Sequence, residues 1–330
     1  MGRRKSSAAA ILVSSTEVDY KLCSDSLGVN MLSENPFGAE GEWYKGNIHT
    51  HTANSDGAWS LDQVVAEYKA NEYDFLFITD HRKVVDVSGL SEDGFLVLYG
   101  EEIDVAGTEL GHPYHLVALN LKESILRQDA PDVQGIIDLA RSKGAEIIIA
   151  HPYWSGLTIN DMIDLKDYIG IEIFNTTCFL IIAKGHSTIH WDDLLARGML
   201  VWGFAVDDTH QGSSDHRPID ICKAWIMAKL PELTEAEVMR AIKSGRFYAS
   251  NGPSIYDISV RNGKIAVSTS EVKVINFIAN VSNGESFTAM GDESLTGAEY
   301  RIKGHEKYIR VECFDKDGRT AWSNPVVFNE

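Results

Sequence analysis

The sequence predicts an α/β fold, in which a barrel of seven strands is followed by a small antiparallel β-sandwich. Apolar, strand-like runs alternate with helical patterns from Trp43 to about residue 250, and this alternation favours a parallel sheet. Seven such strands in this length favour a barrel over an open sheet. After Asn251-Gly-Pro253 no helical period appears and short strands follow one another. That pattern is typical of a sandwich.

Start and stop signals predict four helices in the barrel region. Ser60-Leu-Asp-Gln63 predicts a capping box that opens a helix to about Asn71. Thr234-Glu-Ala-Glu237 predicts a second one, which closes at Gly245. Segments 131–143 and 190–197 also have helical patterns, and a glycine follows each of them. Glycine adopts the left-handed helix cap most easily, so we expect both helices to end there.

The two ends of the chain differ from the barrel region. Residues 1–42 are rich in Ser, Gly, Asn and acidic side chains without clear periodicity, which predicts a partly ordered lead-in. In residues 251–330, Asn262-Gly263 and Asp317-Gly318 predict tight hairpins. We therefore expect a lead-in (1–42), a barrel (43–250) and a β-sandwich domain (251–330).

Composition and charge limit the classes of partner. A formal net charge of -18 argues against nonspecific binding to nucleic acid or an anionic membrane. No run approaches the ~20 apolar residues of a membrane span, and the apolar stretch 8–13 is short for a secretory signal. We therefore expect a cytoplasmic protein. Widely spaced cysteines predict free thiols, at Cys23, Cys178, Cys222 and Cys313.

Side chains of the metal-ligand type follow the strand-like runs. Parallel α/β barrels place catalytic groups at the C-terminal ends of their strands, so these side chains should converge at one mouth. The runs lead into His49-Thr-His51, Asp80-His81, Glu101-Glu102, His151, Asn175 and Asp207-Asp208-Thr-His210, and His115 lies beside a seventh run. Asp56 adds a carboxylate in a turn.

The spacing and chemistry of these groups predict a multinuclear metal centre. Residues two apart on a strand point to the same side, so His49 and His51 can both face the mouth. Neighbours point to opposite sides, which favours His81 as a ligand and Asp80 as an outer or turn group. Imidazole and carboxylate ligands suit Zn, Mn or Fe. Six of the histidines together with Asp56, Glu102 and Asp208 make nine candidate groups, which exceed one tetrahedral site, so two or three divalent ions are implied.

The ordered series His-x-His, Ser-Asp-Gly, Thr-Asp-His, Gly-x-Glu, His, His-Pro and Asp-x-His resembles the polymerase and histidinol phosphatase (PHP) superfamily of metal-dependent phosphoesterases. Segments 43–57 and 245–253 are similar to the two-domain branch that includes carbaryl hydrolase-type metallohydrolases. The resemblance covers about residues 43–250 and implies a distorted (β/α)7 barrel with two or three metals at its mouth. The implied ligands are His49, His51, Asp56, His81, Glu102, His115, His151, Asp208 and His210.

Two ligand assignments have a neighbouring competitor. Glu101 competes with Glu102, and the family's Gly-x-Glu spacing favours Glu102. Asp207 competes with Asp208, and the Asp-x-His spacing favours Asp208. The chain lacks none of the ligand motifs, so an inactive relative is not expected.

The expected activity is metal-assisted hydrolysis of a small phosphate ester. Two cations would lower the pKa of a water between them, and no covalent nucleophile would be needed. Arg82 and Arg217 adjoin ligand motifs and are candidate anion holders, or else ordinary surface or salt-bridge residues. With Asp80 they form the expected catalytic set. Three further histidines are candidate acids for the leaving oxygen or exposed polar residues: His186, His190 and His216.

Two other functions stay open from the sequence. The same metal centre could hydrolyse a carboxyl ester or carbamate, which an aromatic pocket would favour. Candidate aromatics are Tyr153, Trp154, Phe174, Phe179 and Trp202. Alternatively, the metals could brace a non-enzymatic module whose sandwich binds a partner. A full ligand shell with no open coordination position would favour that module.

Overall fold

The structure is a computed structural model, and it describes residues 35–212, 214 and 216–328 of the 330-residue chain. Most of the predicted lead-in, the basic start of the chain and Cys23 lie outside these residues. What is described is a sheet-dominated, mixed α/β fold. Within these residues no helix is both long enough and apolar enough to cross a membrane.

Seven α-helices lie in the described part of the chain, and they include the four predicted from the sequence. Ser60 and Gln63 exchange both bonds of the predicted capping box. Thr234 accepts a hydrogen bond from the backbone of Glu237, and Gly245 adopts the left-handed cap at φ 72°. The helices are α1 (Leu61–Ala70), α2 (Val133–Ser142), α3 (Pro152–Ser155), α4 (Ile159–Ile163), α5 (Thr176–Ile182), α6 (Thr188–Ala196) and α7 (Glu235–Ser244).

Nine strands form the part of the main sheet that precedes residue 251. Their interior positions are largely buried, as expected for strands covered on both faces. The strands are β1 (Glu42–Asn47), β2 (Phe75–Ile78), β3 (Leu96–Val105), β4 (Tyr114–Leu119), β5 (Glu146–Ile149), β6 (Tyr168–Asn175), β7 (Trp202–Val206), β8 (Trp225–Leu230) and β9 (Phe247–Ser250).

The prediction of parallel strands is only partly right. The pairs β1–β2, β2–β3, β5–β6 and β6–β7 are parallel, but β4 runs antiparallel to both β3 and β5. The connection 106–113 between β3 and β4 is too short for the crossover of a dozen or more residues that a parallel pair needs. Because β4 is reversed, its beginning lies where the parallel strands end. His115, its second residue, therefore reaches the same mouth.

Backbone hydrogen bonds join the segment that follows β1 to the segment that follows β7. The backbone N–H of His51 donates to the carbonyl of Thr209 at 3.1 Å, and the N–H of Asp208 donates to the carbonyl of His49 at 3.0 Å. The segments that follow β1 and β7 are thus adjacent, which brings ligand-type residues from both into one place. The distorted (β/α)7 barrel itself stays a prediction.

Eight further strands follow residue 251. Asn262 and Gly263 both have positive φ, as the predicted Asn-Gly hairpin requires. Two of the strands, β13 and β16, are only five and four residues long. The strands are β10 (Ile255–Arg261), β11 (Lys264–Val272), β12 (Val274–Ala279), β13 (Gly284–Thr288), β14 (Leu295–Arg301), β15 (Tyr308–Phe314), β16 (Thr320–Ser323) and β17 (Val326–Val327).

These C-terminal strands form two layers around one apolar core. β10, β11 and β14 make a separate three-stranded sheet, while β12, β13, β15 and β16 continue the main sheet through a pair between β9 and β16. Side chains from both layers, such as Ile265 and Val311, share the core between them. The main sheet therefore crosses the predicted boundary at residue 250. The division into domains stays a prediction.

Candidate metal centre

All nine ligands implied by the motif series lie around one cavity or directly beneath it. Eight of them fall into three overlapping groups, and within each group the ligand atoms lie within 4.8 Å of one another. The groups are His51, Asp56, His81 and His210; His49, His51, Glu102 and Asp208; and His81, Glu102 and His115. The ninth residue, His151, has its Nε2 atom 3.2 Å from Oε1 of Glu102.

The deepest group has the dimensions of a four-ligand metal site. The Nε2 atom of His49 lies 3.0 Å from Nε2 of His51, 3.1 Å from Oε2 of Glu102 and 3.2 Å from Oδ1 of Asp208. The Nε2 atom of His51 lies 3.1 Å and 3.0 Å from the same two oxygens. Four ligands placed tetrahedrally at about 2.0 Å from zinc would be about 3.3 Å apart. These residues therefore fit a cation.

A second group lies nearer the cavity opening. Oδ2 of Asp56 is 3.3 Å from Nε2 of His210 and 3.6 Å from Nε2 of His81. The turn that carries Asp56 packs tightly on the segment that follows β1, because a Cβ at Gly57 would lie 2.8 Å from the backbone of Thr52. The glycine in Ser-Asp-Gly thus permits a close approach of two backbone segments.

Glu102 connects the groups. Its Oε2 faces His49 and His51, whereas its Oε1 accepts from Nδ1 of His115 at 2.7 Å. The side chain is 1% exposed. A carboxylate whose two oxygens face different imidazoles can hold two cations at once.

The acidic side chains of the cluster face histidines and have no Lys or Arg as a counter-ion in the part of the chain that the structure describes. Burial by itself would lower the pKa of His51, but contacts with Asp208 and Glu102 raise it to about 10. Burial would raise the pKa of Glu102 and Asp208, but the surrounding histidines hold both well below the usual value. In the described residues no Lys or Arg forms an ion pair with Asp56, Glu102 or Asp208. Bound cations would supply the missing charge.

Each competing acidic neighbour lies outside the cluster. Glu101 accepts from the backbone N–H of Ile125. Asp207 accepts from Tyr68 and from the backbone of residues 222–224. Neither carboxylate lines the cavity, whereas Glu102 and Asp208 do, so the geometry favours Glu102 and Asp208. Burial raises the pKa of Glu101 to about 7 and that of Asp207 to about 6.

Asp80 holds the loop that carries Asp56. Its carboxylate accepts from the backbone and hydroxyl of Thr52, at 2.8 Å each, and from the hydroxyl of Ser55 at 2.6 Å. It is fully buried and does not line the cavity. Its outer or turn role stays a prediction.

The two arginine candidates differ in position. The cavity has a volume of about 330 Å³, and Arg217 lines it together with the ligands. The Nε atom of Arg217 is buried and has no hydrogen-bond partner among the described residues. Arg82 does not line the cavity; its side chain is 59% exposed, and its Nε lies 2.9 Å from Asp104.

The candidate acids and aromatics are mostly elsewhere. Nε2 of His190 donates to the backbone carbonyl of Leu157 at 2.9 Å, His186 lies among Phe174 and Phe179, and His216 is exposed. Of the five candidate aromatics, only Trp154 lines the cavity, and Ile181 adds a second apolar contact. His112, which no motif in the sequence singles out, has its ring centroid 5.2 Å from that of Trp154.

Glu172 is a buried charge that belongs to none of the predicted ligand motifs. Its Oε1 atom lies 2.5 Å from Nδ1 of His49, and the side chain is 1% exposed. A signal was present, because a carboxylate inside the apolar run Ile171-Glu172-Ile173 must find buried partners.

No model of a known protein family matches the chain, and no curated protein matches it. Among solved structures, the chain is similar to a two-domain protein from Bacteroides vulgatus ATCC 8482 that contains a predicted PHP-like metal-dependent phosphoesterase. The identity is 14%, the match covers 87% of this chain and 96% of that one, and the TM-score is 0.48.

Two smaller structures match part of the chain. A candidate metal-dependent phosphoesterase from Bifidobacterium adolescentis ATCC 15703 is 15% identical, with 60% of this chain and 95% of that one covered and a TM-score of 0.38. An amidohydrolase from Chromobacterium violaceum, with bound sulfate and no metal, is 14% identical, with 61% and 96% covered and a TM-score of 0.40. Because each of these three structures is at most 15% identical and has a TM-score below 0.5, arguments about the site depend on this chain's own side chains.

Proposed function

We propose that this protein is a metal-dependent hydrolase that cleaves a small phosphate ester. The observation that carries the proposal is the convergence of nine imidazole and carboxylate side chains on one cavity, without a Lys or Arg paired to its three acidic ligands in the described residues. Mixed nitrogen and oxygen ligands suit Zn, Mn or Fe. Three overlapping groups suit two or three ions.

Different ligand residues would hold different ions. His49, His51, Glu102 and Asp208 would hold one ion, and Asp56, His81 and His210 would hold another. When bound, such ions lower the pKa of water and stabilise charge on the attacked group. Glu102 would link the first of these sites to the third group, formed with His81 and His115, because its two oxygens face different histidines. Asp80 would keep the Asp56 loop in place.

Arg217 supports a phosphate ester as the substrate. It lines the same cavity as the ligands, and its buried Nε has no partner among the residues described. Gly212 leaves space for it, since a Cβ there would lie 2.8 Å from Nη2 of Arg217. A guanidinium at this position would donate a charge-assisted hydrogen bond to a phosphoryl oxygen. Arg82, which is exposed and paired with Asp104, does not take this role.

A carboxyl-ester or carbamate hydrolase is the second candidate. Trp154, Cys178 and Ile181 give the cavity an apolar wall, which would accept an uncharged substrate. The same ligands would serve both reactions. Charge at the cavity wall is therefore the property that separates the two candidates.

The decisive test compares phosphate and acetate esters of one phenol. We expect the parent protein, loaded with Mn²⁺ or Zn²⁺, to have the higher kcat/KM for the phosphate ester. Arg217→Ala should raise KM for the phosphate ester about ten-fold or more, because it removes a charge-assisted hydrogen bond worth about 1.5–3 kcal/mol. It should leave the KM for acetate nearly unchanged.

Arg82→Ala is the matched comparison, since it removes the same group outside the cavity. We expect it to change both KM values by less than about two-fold, as is usual for exposed ion pairs. If the parent prefers the acetate ester and Arg217→Ala changes KM equally for both esters, the carboxyl-ester hydrolase would be favoured over the phosphoesterase.

A further inference from the structure

A bulge in β6 turns two polar side chains toward the metal centre. In the pairing of β6 with β7, Glu172 lies opposite Phe204, Phe174 opposite Ala205 and Asn175 opposite Val206. One residue of β6, Ile173, is thus extra, as in a β-bulge. On a regular strand residues three apart would face opposite sides. Here Nδ2 of Asn175 donates to Oε2 of Glu172 at 2.9 Å, so both side chains share one side.

Glu172 contacts three groups of the site and uses both of its oxygens. Oε1 accepts from Nδ1 of His49, and Oε2 accepts from the backbone N–H of His151 at 2.8 Å as well as from Asn175. With its proton on Nδ1, His49 must present the lone pair of Nε2 to the group formed with His51, Glu102 and Asp208. Glu172 therefore fixes both the ring orientation and the tautomer of His49.

Asn175 does the same for Asp208. Its Nδ2 donates one hydrogen to Glu172 and the other to Oδ2 of Asp208, at 3.0 Å. Its Oδ1 accepts from the N–H of Cys178 and caps α5. The other oxygen of Asp208, Oδ1, has no hydrogen bond within the described residues. That free oxygen is the one that faces His49 and His51.

We propose that Glu172 and Asn175 are positioning residues of the metal centre, which set the ligand atoms of His49 and Asp208 before an ion binds. Neither belongs to the three ligand groups. The inference rests on the proposed function, since it needs the ligand group to bind a cation. Partners of this kind typically change metal affinity 10- to 100-fold.

Glu172→Gln is the sharpest variant because it keeps the size and shape of the side chain. Both oxygens of Glu172 accept hydrogen bonds, whereas glutamine has one acceptor and one donor. The amide must therefore oppose a donor, either at His49 or at His151 and Asn175. For Asn175, serine is the matched change, because its hydroxyl can still cap α5 but cannot donate to Glu172 and Asp208 together.

Glu146→Gln is the control. Glu146 is also a buried carboxylate on a neighbouring strand, at the first residue of β5, but it pairs with Arg141 and Lys243. Metal-free parent, Glu172→Gln, Asn175→Ser and Glu146→Gln proteins would be titrated with Zn²⁺ against a chromophoric chelator. Co²⁺ would then be added, and its visible absorption would report the coordination geometry.

We expect at least one bound ion to dissociate about 10- to 100-fold more readily from Glu172→Gln and from Asn175→Ser, with an altered Co²⁺ spectrum. The control should match the parent in both. Thermal unfolding of the metal-free proteins shows that each variant is folded. Folded variants with the parent's affinities and Co²⁺ spectrum would overturn the inference alone. A parent that binds no ion would overturn the proposed function as well.

Discussion

The metal centre and the C-terminal sheets both bury charged side chains, but they neutralise them differently. In the C-terminal region, Arg310 donates to both oxygens of Asp192 at 2.7 and 2.6 Å and to Glu312 at 2.5 Å. Glu306 accepts from Tyr300 and from the backbone of residues 303–305. These charges have their partners within the protein, so they need nothing else.

At the metal centre the charged atoms face one another instead. Oδ1 of Asp208, Nδ1 of His51 and Nδ1 of His81 are buried without a hydrogen bond in the described residues. Unpaired buried polar atoms are costly, and proteins accept that cost where a ligand completes the arrangement. The comparison teaches that satisfied buried charge indicates a structural role, whereas unsatisfied buried charge of the right chemistry indicates a site.

The largest effect should come from Asp208→Asn. The change removes one ligand charge and replaces an acceptor by a donor that faces His49 and His51, so we expect hydrolysis to fall by about 100-fold or more. The C-terminal strands provide none of the proposed ligands and should stay folded, as measured by circular dichroism and thermal unfolding. Undiminished turnover would show that Asp208 is not a ligand.

Arg310→Met should lower the stability of the protein and leave its metal content unchanged. It leaves Asp192 and Glu312 without their cation, so we expect a loss of about 3–5 kcal/mol in the free energy of unfolding. Metal content of the folded protein should not change. Arg319→Met, in an exposed pair with Asp315, is the control and should cost less than about 1 kcal/mol. A metal loss in folded Arg310→Met protein would contradict the separation of the two regions.

The stability of the metal-free protein and its affinity for metal should both depend on pH. In the metal-free protein the pKa of His51 is raised from 6.5 to about 10. Its contribution to stability is therefore complete below pH 6.5 and is lost as the pH rises toward 10. Metal needs the unprotonated imidazole, so metal affinity should rise over the same range. Chelator competition at several pH values measures this, and an affinity that falls with pH would contradict it.

The smallest effect is expected at Glu306. Burial would raise its pKa, but hydrogen bonds from Tyr300 and the backbone lower it from 4.5 to about 2. Its stabilising contribution is complete above pH 4.5 and is lost as the pH falls toward 2. Glu306→Gln should cost about 1–3 kcal/mol at pH 7 and should reduce this acid dependence, as measured by chemical unfolding. Equal acid dependence in both proteins would count against this assignment.

The features that local sequence signals predicted are the four longer helices and the pairing of side chains two residues apart. His49-Thr-His51 and Asp208-Thr-His210 follow strands whose ends meet, and alternation along an extended segment was enough to group their side chains. The four longer helices were found because their caps and periodicity are local. Helices α3, α4 and α5 have seven residues or fewer and lack a repeated apolar face.

The features that could not be predicted from the sequence depend on pairing between strands that are separated in the chain. The reversal of β4, the bulge at Ile173 and the continuity of the sheet through β9 and β16 are set by neighbouring strands. The bulge decides that Glu172 and Asn175 face the same side, which simple alternation excludes. For the same reason, spacing could not distinguish Arg217, inside the cavity, from Arg82, outside it.

The number of bound metal ions tests the central claim most directly. Protein purified without chelator, and then supplemented with Zn²⁺, Mn²⁺ or Fe²⁺ and freed of excess metal, would be measured by elemental analysis. The three overlapping ligand groups predict at least two transition-metal ions per chain. One ion or none after supplementation would contradict the multinuclear centre and the hydrolytic mechanism that depends on it.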